Sequence, residues 1–149
     1  MKATYRPVLA SDESEFLAMM QNFYAIDGYP IDLDRSRELL SEFITNPNLG
    51  RAWMIEYDGS AVGYVILSFM FSFEFKGRLA FLDELYLSDG ARGKGIGRQT
   101  IEFVKQEARK LDVKVLYLEV EHHNALAQKL YLSAGFEIHN RRFMQHKLD

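Results

Sequence analysis

Leu82-Asp83-Glu84-Leu85-Tyr86-Leu87, then Ser88-Asp89-Gly90-Ala91, then Arg92-Gly93-Lys94-Gly95-Ile96-Gly97, is the stretch that decides how this chain folds. An apolar run holding two adjacent acids ends in a glycine-rich loop. The loop opens into a segment with Ile101, Val104, Ala108 and Leu111 on one helical face. Glycines let a backbone approach a ligand closely. The unpaired N–H groups and dipole of a first helical turn attract a phosphate or pyrophosphate. The alternative is an ordinary glycine-rich connection with a solvated arginine and lysine, and the three glycines at 93, 95 and 97 weigh against it.

Spacing narrows the phosphate ligand. The dinucleotide pattern G-x-G-x-x-G, counted from Gly93, requires glycine where Arg98 stands. The nucleotide-hydrolase pattern requires Lys and then Ser or Thr after its second glycine, whereas Gly93-Lys94 is followed by Gly95. The arrangement present is [Q/R]-x-x-G-x-[G/A], carried by Arg92, Gly95 and Gly97.

Upstream, a short strand through Tyr5 and Val8 is predicted, then Ser11 or Asp12 as the N-cap of a helix bearing Phe16, Met19, Met20 and Phe23. Gly28, Pro30 and the acids Asp27, Asp32 and Asp34 interrupt it. A second helix carries Leu39, Leu40, Phe43 and Ile44 as far as Asn46-Pro47-Asn48. The runs 53–57 and 61–67 flank Asp58-Gly59-Ser60, which reads as an antiparallel hairpin. Its second arm continues through Phe69, Phe71, Phe73 and Phe75, a period-two ladder expected to run to a turn at Lys76-Gly77-Arg78. Leu79 to Leu87 is the next strand. The strand–helix–strand unit ending in Val113 to Val120 favours a parallel pair and a right-handed crossover. A last helix carries Ala127, Leu130, Tyr131 and Ala134 and stops at Gly135, and Phe136 to Leu148 can supply two short closing strands. The chain is therefore expected to be a single α/β domain over 1–149.

With 149 residues, 48% hydrophobic and 26% charged, the chain can build one real core. It has no cysteine, which removes disulfides, thiolate zinc sites and a thiol nucleophile. A net charge of -3 gives no broad footprint for nucleic acid, and none is expected as a partner. The opening Met1-Lys2-Ala3-Thr4-Tyr5-Arg6-Pro7 lacks a signal-peptide core, and no apolar run is long enough to span a bilayer. A cytoplasmic protein without a membrane partner is expected. His122-His123 is adjacent rather than at ligand spacing, and no metal is predicted.

Downstream of the loop, Asn124-Ala125-Leu126-Ala127-Gln128-Lys129-Leu130-Tyr131-Leu132-Ser133-Ala134-Gly135-Phe136 looks like the Asn, Ala, Leu-Tyr and Gly-Phe signature of the GNAT N-acetyltransferase superfamily. The glycine loop, the segment order from Tyr5 to Leu148, and Arg6-Pro7 with Asp12 resemble the same family. The pattern is closest to the spermidine/spermine and diamine acetyltransferases.

This resemblance implies a mostly antiparallel sheet with one parallel β-α-β unit and a splay between its two central strands near Glu119 to Glu121. It implies direct transfer of acetyl from acetyl-CoA to a primary amine such as a polyamine, diamine or amino-acid-like molecule. By the same resemblance the amides of Arg92, Gly93, Lys94, Gly95, Ile96 and Gly97 hold the pyrophosphate of coenzyme A. Leu85, Tyr86 and Leu87 address the pantetheine arm and thioester oxygen, Asn124 binds a pantetheine amide, and Tyr131 protonates the leaving thiolate. Other readings stay open: a non-catalytic acetyl-CoA sensor, or a peptide N-acetyltransferase.

Local alternatives stand beside these roles. Tyr131 also suits simple packing on the helical face with Ala127 and Leu130, and Asn124 suits a helix N-cap. Asp83 and Glu84, adjacent on one strand, are expected to point to opposite faces, so at most one addresses the amine directly. Asp83 is the preferred general base and Glu84 the fallback. Tyr24, Tyr29, Glu74 and Asp83 are candidates for acceptor binding, with Asp27, Asp32 and Asp34 as possible counter-charge. The phenylalanine ladder reads equally as core or as a subunit interface, which makes a homodimer an expectation.

Overall fold

A computed structural model describes residues 2–149. Its strands are β1 (Thr4–Pro7), β2 (Gly50–Tyr57), β3 (Ser60–Ser72), β4 (Gly77–Leu87) and β5 (Val115–Leu118). Its helices are α1 (Glu13–Ile26), α2 (Leu33–Ile44), α3 (Ile96–Lys110) and α4 (Ala125–Ser133). The chain divides into two units, Met1–Glu119 and Val120–Asp149.

In the first unit the strands make one sheet in the order β1-β2-β3-β4-β5. The first three pairings are antiparallel and β4 pairs β5 in parallel, as the crossover through α3 requires. Asp58 and Gly59 both take positive φ, 51° and 79°, the geometry of a two-residue hairpin turn between β2 and β3.

Alternation along β2, β3 and β4 divides the apolar residues between two faces. Met54, Tyr64, Ile66 and Tyr86 pack with Phe16, Leu17 and Met19 of α1 and Leu40 of α2. On the opposite face Tyr5 stacks on Phe103 of α3 at 4.1 Å, and Trp53 meets the same ring edge-on at 5.2 Å. Buried Thr100 donates to the Ile96 carbonyl at 2.8 Å, and its hydroxyl lies 3.0 Å from that of Tyr5. The Gln99 side chain accepts from the Ala3 amide at 2.9 Å. These bonds fix the first turn of α3 against β1. Buried aromatic-to-alanine changes cost about 3–5 kcal/mol, so Phe16, fully buried, is a residue on which the first face depends.

Polar residues set the element ends. Asp12 is the N-cap residue of α1, but its carboxylate turns back to the Leu9 amide at 2.8 Å and takes a two-pronged bond from Arg6 at 2.7 and 2.8 Å. Asp32 caps α2 by accepting from the Arg35 amide at 3.0 Å, and Asp34 pairs with Arg37 at 3.0 Å. Both acids are thereby explained as helix-end residues rather than as free counter-charge.

Two expectations need correction. The phenylalanine ladder holds only for Phe69 and Phe71, because β3 ends at Ser72 and the turn occupies 73–76. Phe73 stands in that turn, 91% exposed and edge-on to Phe71 at 5.6 Å. The period-two pattern runs on through a turn that it does not itself mark. Secondly, no strand forms between Phe136 and Leu148 among the described residues. Ile138, Phe143, Met144 and Leu148 stand exposed there, so no apolar face is buried to hold a strand. Among the described residues no helix is long and apolar enough to cross a membrane.

Candidate active site

The register of β4 determines where its acids point. Leu67 pairs Leu82 and Ile66 pairs Glu84, which leaves Asp83 as an extra residue, a β-bulge. The bulge switches the parity of the strand, so Leu82 and Glu84 face opposite ways although they are two apart. Glu84 shares the face of Tyr64, and the Tyr64 hydroxyl donates to Glu84 Oε1 at 2.7 Å. Asp83 lies close enough to Ser68, on that same face of β3, for the serine to lower its carboxyl. The expectation that Asp83 and Glu84 point to opposite faces is therefore corrected: strict alternation fails where a residue is inserted.

Glu84 has a second partner. The hydroxyl of Tyr24, in the last turns of α1, donates to Glu84 Oε2 at 2.7 Å across a sequence separation of 60. Burial pushes the Glu84 carboxyl above its ordinary value, the Tyr64 and Tyr24 donors hold it down, and the charge of Asp83 raises it. Asp83 lies nearer the surface, where partial burial raises its carboxyl and the neighbouring Ser68 lowers it. Both phenols are raised, first by burial and then by the Glu84 carboxylate, so they remain donors at neutral pH. Phe23 and Tyr86 complete an aromatic wall, with ring centres 5.8 Å apart.

Beyond Asp83 the strand changes surroundings. The ladder with β5 ends at Leu82 opposite Leu118, yet β4 continues to Leu87. Leu85, Tyr86 and Leu87 thus run past the last β5 pairing, which is where the sheet opens. Among these, Leu87 also bonds through its carbonyl to Arg92 Nε at 3.0 Å, and Arg92 pairs with Asp89 at 3.0 Å. Arg92 therefore staples the loop to the end of β4.

Gly93 and Gly95 hold φ of 76° and 78°, and a Cβ would meet nothing within 4 Å at either. Conformation rather than space demands glycine at both positions. Gly95 is the N-cap of α3, whose first residues are Ile96 and Gly97, and their amides head the helix. Lys94 Nζ lies 5.6 Å from the Tyr57 ring centre.

In the second unit, the Asn124 side chain accepts from the Ala127 amide at 3.0 Å and caps α4. Gln128, which the sequence does not single out, donates to the carbonyls of Glu121 and His122 at 3.1 and 3.0 Å and braces the approach to that helix. Tyr131 is raised by burial and meets Phe136 edge-on at 5.9 Å.

Of the acceptor candidates, Tyr24 and Asp83 come together around Glu84. Tyr29 lies just past α1 and donates its amide to the Tyr24 carbonyl at 2.9 Å. Glu74 does not join them. It sits in the turn before Gly77, and seven residues of strand, about 23 Å, separate Gly77 from Glu84.

Residues 16–136 match the model for the acetyltransferase (GNAT) family. The D-amino-acid N-acetyltransferase HPA3 of Saccharomyces cerevisiae is 32% identical over 80 residues, 53% of this chain and 49% of that protein. The chain spans about half the length of the first curated relatives it matches. An integron cassette protein from the mobile metagenome of Cole Harbour Salt Marsh is 30% identical, with a TM-score of 0.87, covering 97% of this chain and 90% of that one. The aminoglycoside N-acetyltransferase AAC(6')-Iy, solved in complex with CoA, shares the fold at 17% identity and a TM-score of 0.80, covering 99% and 95% of the two chains.

Proposed function

The chain belongs to the GNAT acetyltransferase family, and we propose that it moves the acetyl group of acetyl-CoA directly to a primary amine of a small molecule within a ternary complex. The observation that carries this reading is the sheet's opening: β4 outruns its β5 partner and leads straight into the glycine loop. The residues fit the cofactor. Positive φ at Gly93 and Gly95 and the amides of Lys94, Ile96 and Gly97 suit a pyrophosphate, whereas the Arg92 amide already donates to the Asp89 carbonyl; the backbone of Leu85 to Leu87 suits the pantetheine arm.

Acetyl-CoA, when bound, supplies an activated thioester. An alkylamine reacts with it only as the free base, so the protein must accept a proton and exclude bulk water. Glu84, held by two phenols and raised by burial, is suited to take that proton, with Asp83 beside it on the same face. These contacts support Glu84 rather than Asp83 as the general base. Amides near Leu85 to Leu87 are assigned to the developing oxyanion, Tyr131 to protonation of the departing thiolate, and Asn124 to a pantetheine amide alongside its capping bond.

The acceptor is proposed to be a polyamine, diamine or amino-acid-like molecule bound near Tyr24, Tyr29 and Asp83. The relative named for D-amino acids and the neighbour named for aminoglycosides keep both kinds of amine on the panel to be tested. The protein is further proposed to act as a single domain over 1–149, in the cytoplasm, as a homodimer. Exposed Met70, Phe71 and Phe73 support the dimer. Mass-spectrometric detection of acetylated amine after incubation with acetyl-CoA tests the reading. Bound acetyl-CoA with no product from any acceptor would favour a sensor.

A further inference from the structure

We propose that Tyr24 is a positioning residue for Glu84: its phenol aims the carboxylate, and its backbone ties that grip to the segment expected to receive the amine. The inference rests on Glu84 being the general base. Each Glu84 oxygen accepts from a different element, Oε2 from Tyr24 of α1 and Oε1 from Tyr64 of β3. A carboxylate held at both oxygens keeps one orientation.

The two phenols differ in surroundings. Tyr64 is fully buried in the core, whereas Tyr24 is partly accessible at the end of α1. The Tyr24 carbonyl accepts from the Tyr29 amide at 2.9 Å, across the turn that Gly28 makes with φ of 71°. One residue thus joins the loop 27–32 to the carboxylate, which couples the placement of that loop to the aim of Glu84. Among the described residues the ionisable groups acting on Glu84 are Tyr24 from α1, Tyr64 from β3 and Asp83 of β4, and Tyr86 lies against Tyr64. Burial and the Asp83 charge favour the neutral carboxyl, and the phenol donors oppose them.

Tyr24→Phe keeps the ring and removes only the donor. The test is a carbon-13 NMR titration of glutamate-labelled protein, with the Glu84 signal assigned by its loss in Glu84→Gln, beside the pH profile of kcat/KM with spermidine as the amine. The expected result is a Glu84 midpoint about one to two pH units higher in Tyr24→Phe, with the acidic limb of the profile moving equally. A purely structural role would lower activity by one factor at every pH. An unmoved midpoint overturns the role of Tyr24 while leaving Glu84 as base. A moved midpoint with a fixed limb contradicts Glu84 as base and removes the premise.

Discussion

Asp83 and Glu84, adjacent in sequence, present their carboxylates on one face of the sheet, because the bulge in β4 makes Asp83 the residue without a partner opposite Ile66 and Leu67. Their surroundings agree: Tyr64 bonds Glu84 and Ser68 acts on Asp83, two residues of β3 on the same face. The Asp83 charge so placed raises the Glu84 carboxyl. Asp83→Asn is therefore predicted to lower the Glu84 midpoint and move the acidic limb of kcat/KM toward lower pH. Glu84→Gln should cost about 10²–10⁴ in kcat/KM at neutral pH. An equal loss in both variants, with no movement of the limb in Asp83→Asn, would return the base assignment to Asp83.

Stability should show the opposite trend. A carboxyl raised by burial is easier to hold neutral than charged in the fold. Its contribution is full below the ordinary glutamate range and is lost as pH rises through the elevated value. Glu84→Gln is predicted to unfold at a higher temperature than the wild type at pH 8, with the gap closing near pH 4. Thermal denaturation at the two pH values checks the sign.

The glycine loop carries a separable prediction. Gly95→Ala places a side chain at φ of 78° with no clash, at a cost of about 1–2 kcal/mol for the left-handed backbone. Because the strain sits at the head of α3, KM for acetyl-CoA should rise several-fold while KM for the amine stays put. Matched changes in both constants would place the effect elsewhere.

The hairpin between β3 and β4 bears on assembly. Met70, Phe71 and Phe73 are exposed together at its end. Replacing Phe71 and Phe73 by Ser should convert a homodimer into a monomer in sedimentation experiments, with little loss of thermal stability. A wild-type monomer at micromolar concentration would remove the proposed dimer.

Local signals made much of this fold legible. Asp58-Gly59 marks its hairpin directly, and Arg92 to Gly97 announces a loop at a helix start, because turns and caps are written in neighbouring residues. The bulge at Asp83 has no such signature, since Leu82-Asp83-Glu84-Leu85 reads equally well with or without an insertion. The grip of Tyr24 on Glu84 joins residues 60 apart, and only packing of α1 on the sheet brings them together. The ladder through Phe73 and Phe75 misled for the reverse reason: a repeated pattern continued past the strand's end. Gln128 could have been noticed four residues after Asn124, where a side chain can turn back over the segment leading into the helix.

The central claim is transfer of acetyl from acetyl-CoA to an amine with proton donation by Tyr131. The most direct measurement is acetyl-CoA-dependent thiol release over a panel of polyamines, diamines, amino acids of both configurations, aminoglycosides and short peptides, for the wild type and Tyr131→Phe. Turnover with one class of small amine is expected, with a loss of about 10²-fold or more in kcat for the variant. Turnover unchanged in Tyr131→Phe would contradict the role of that phenol, and tight acetyl-CoA binding with no thiol release from any amine would contradict the enzyme.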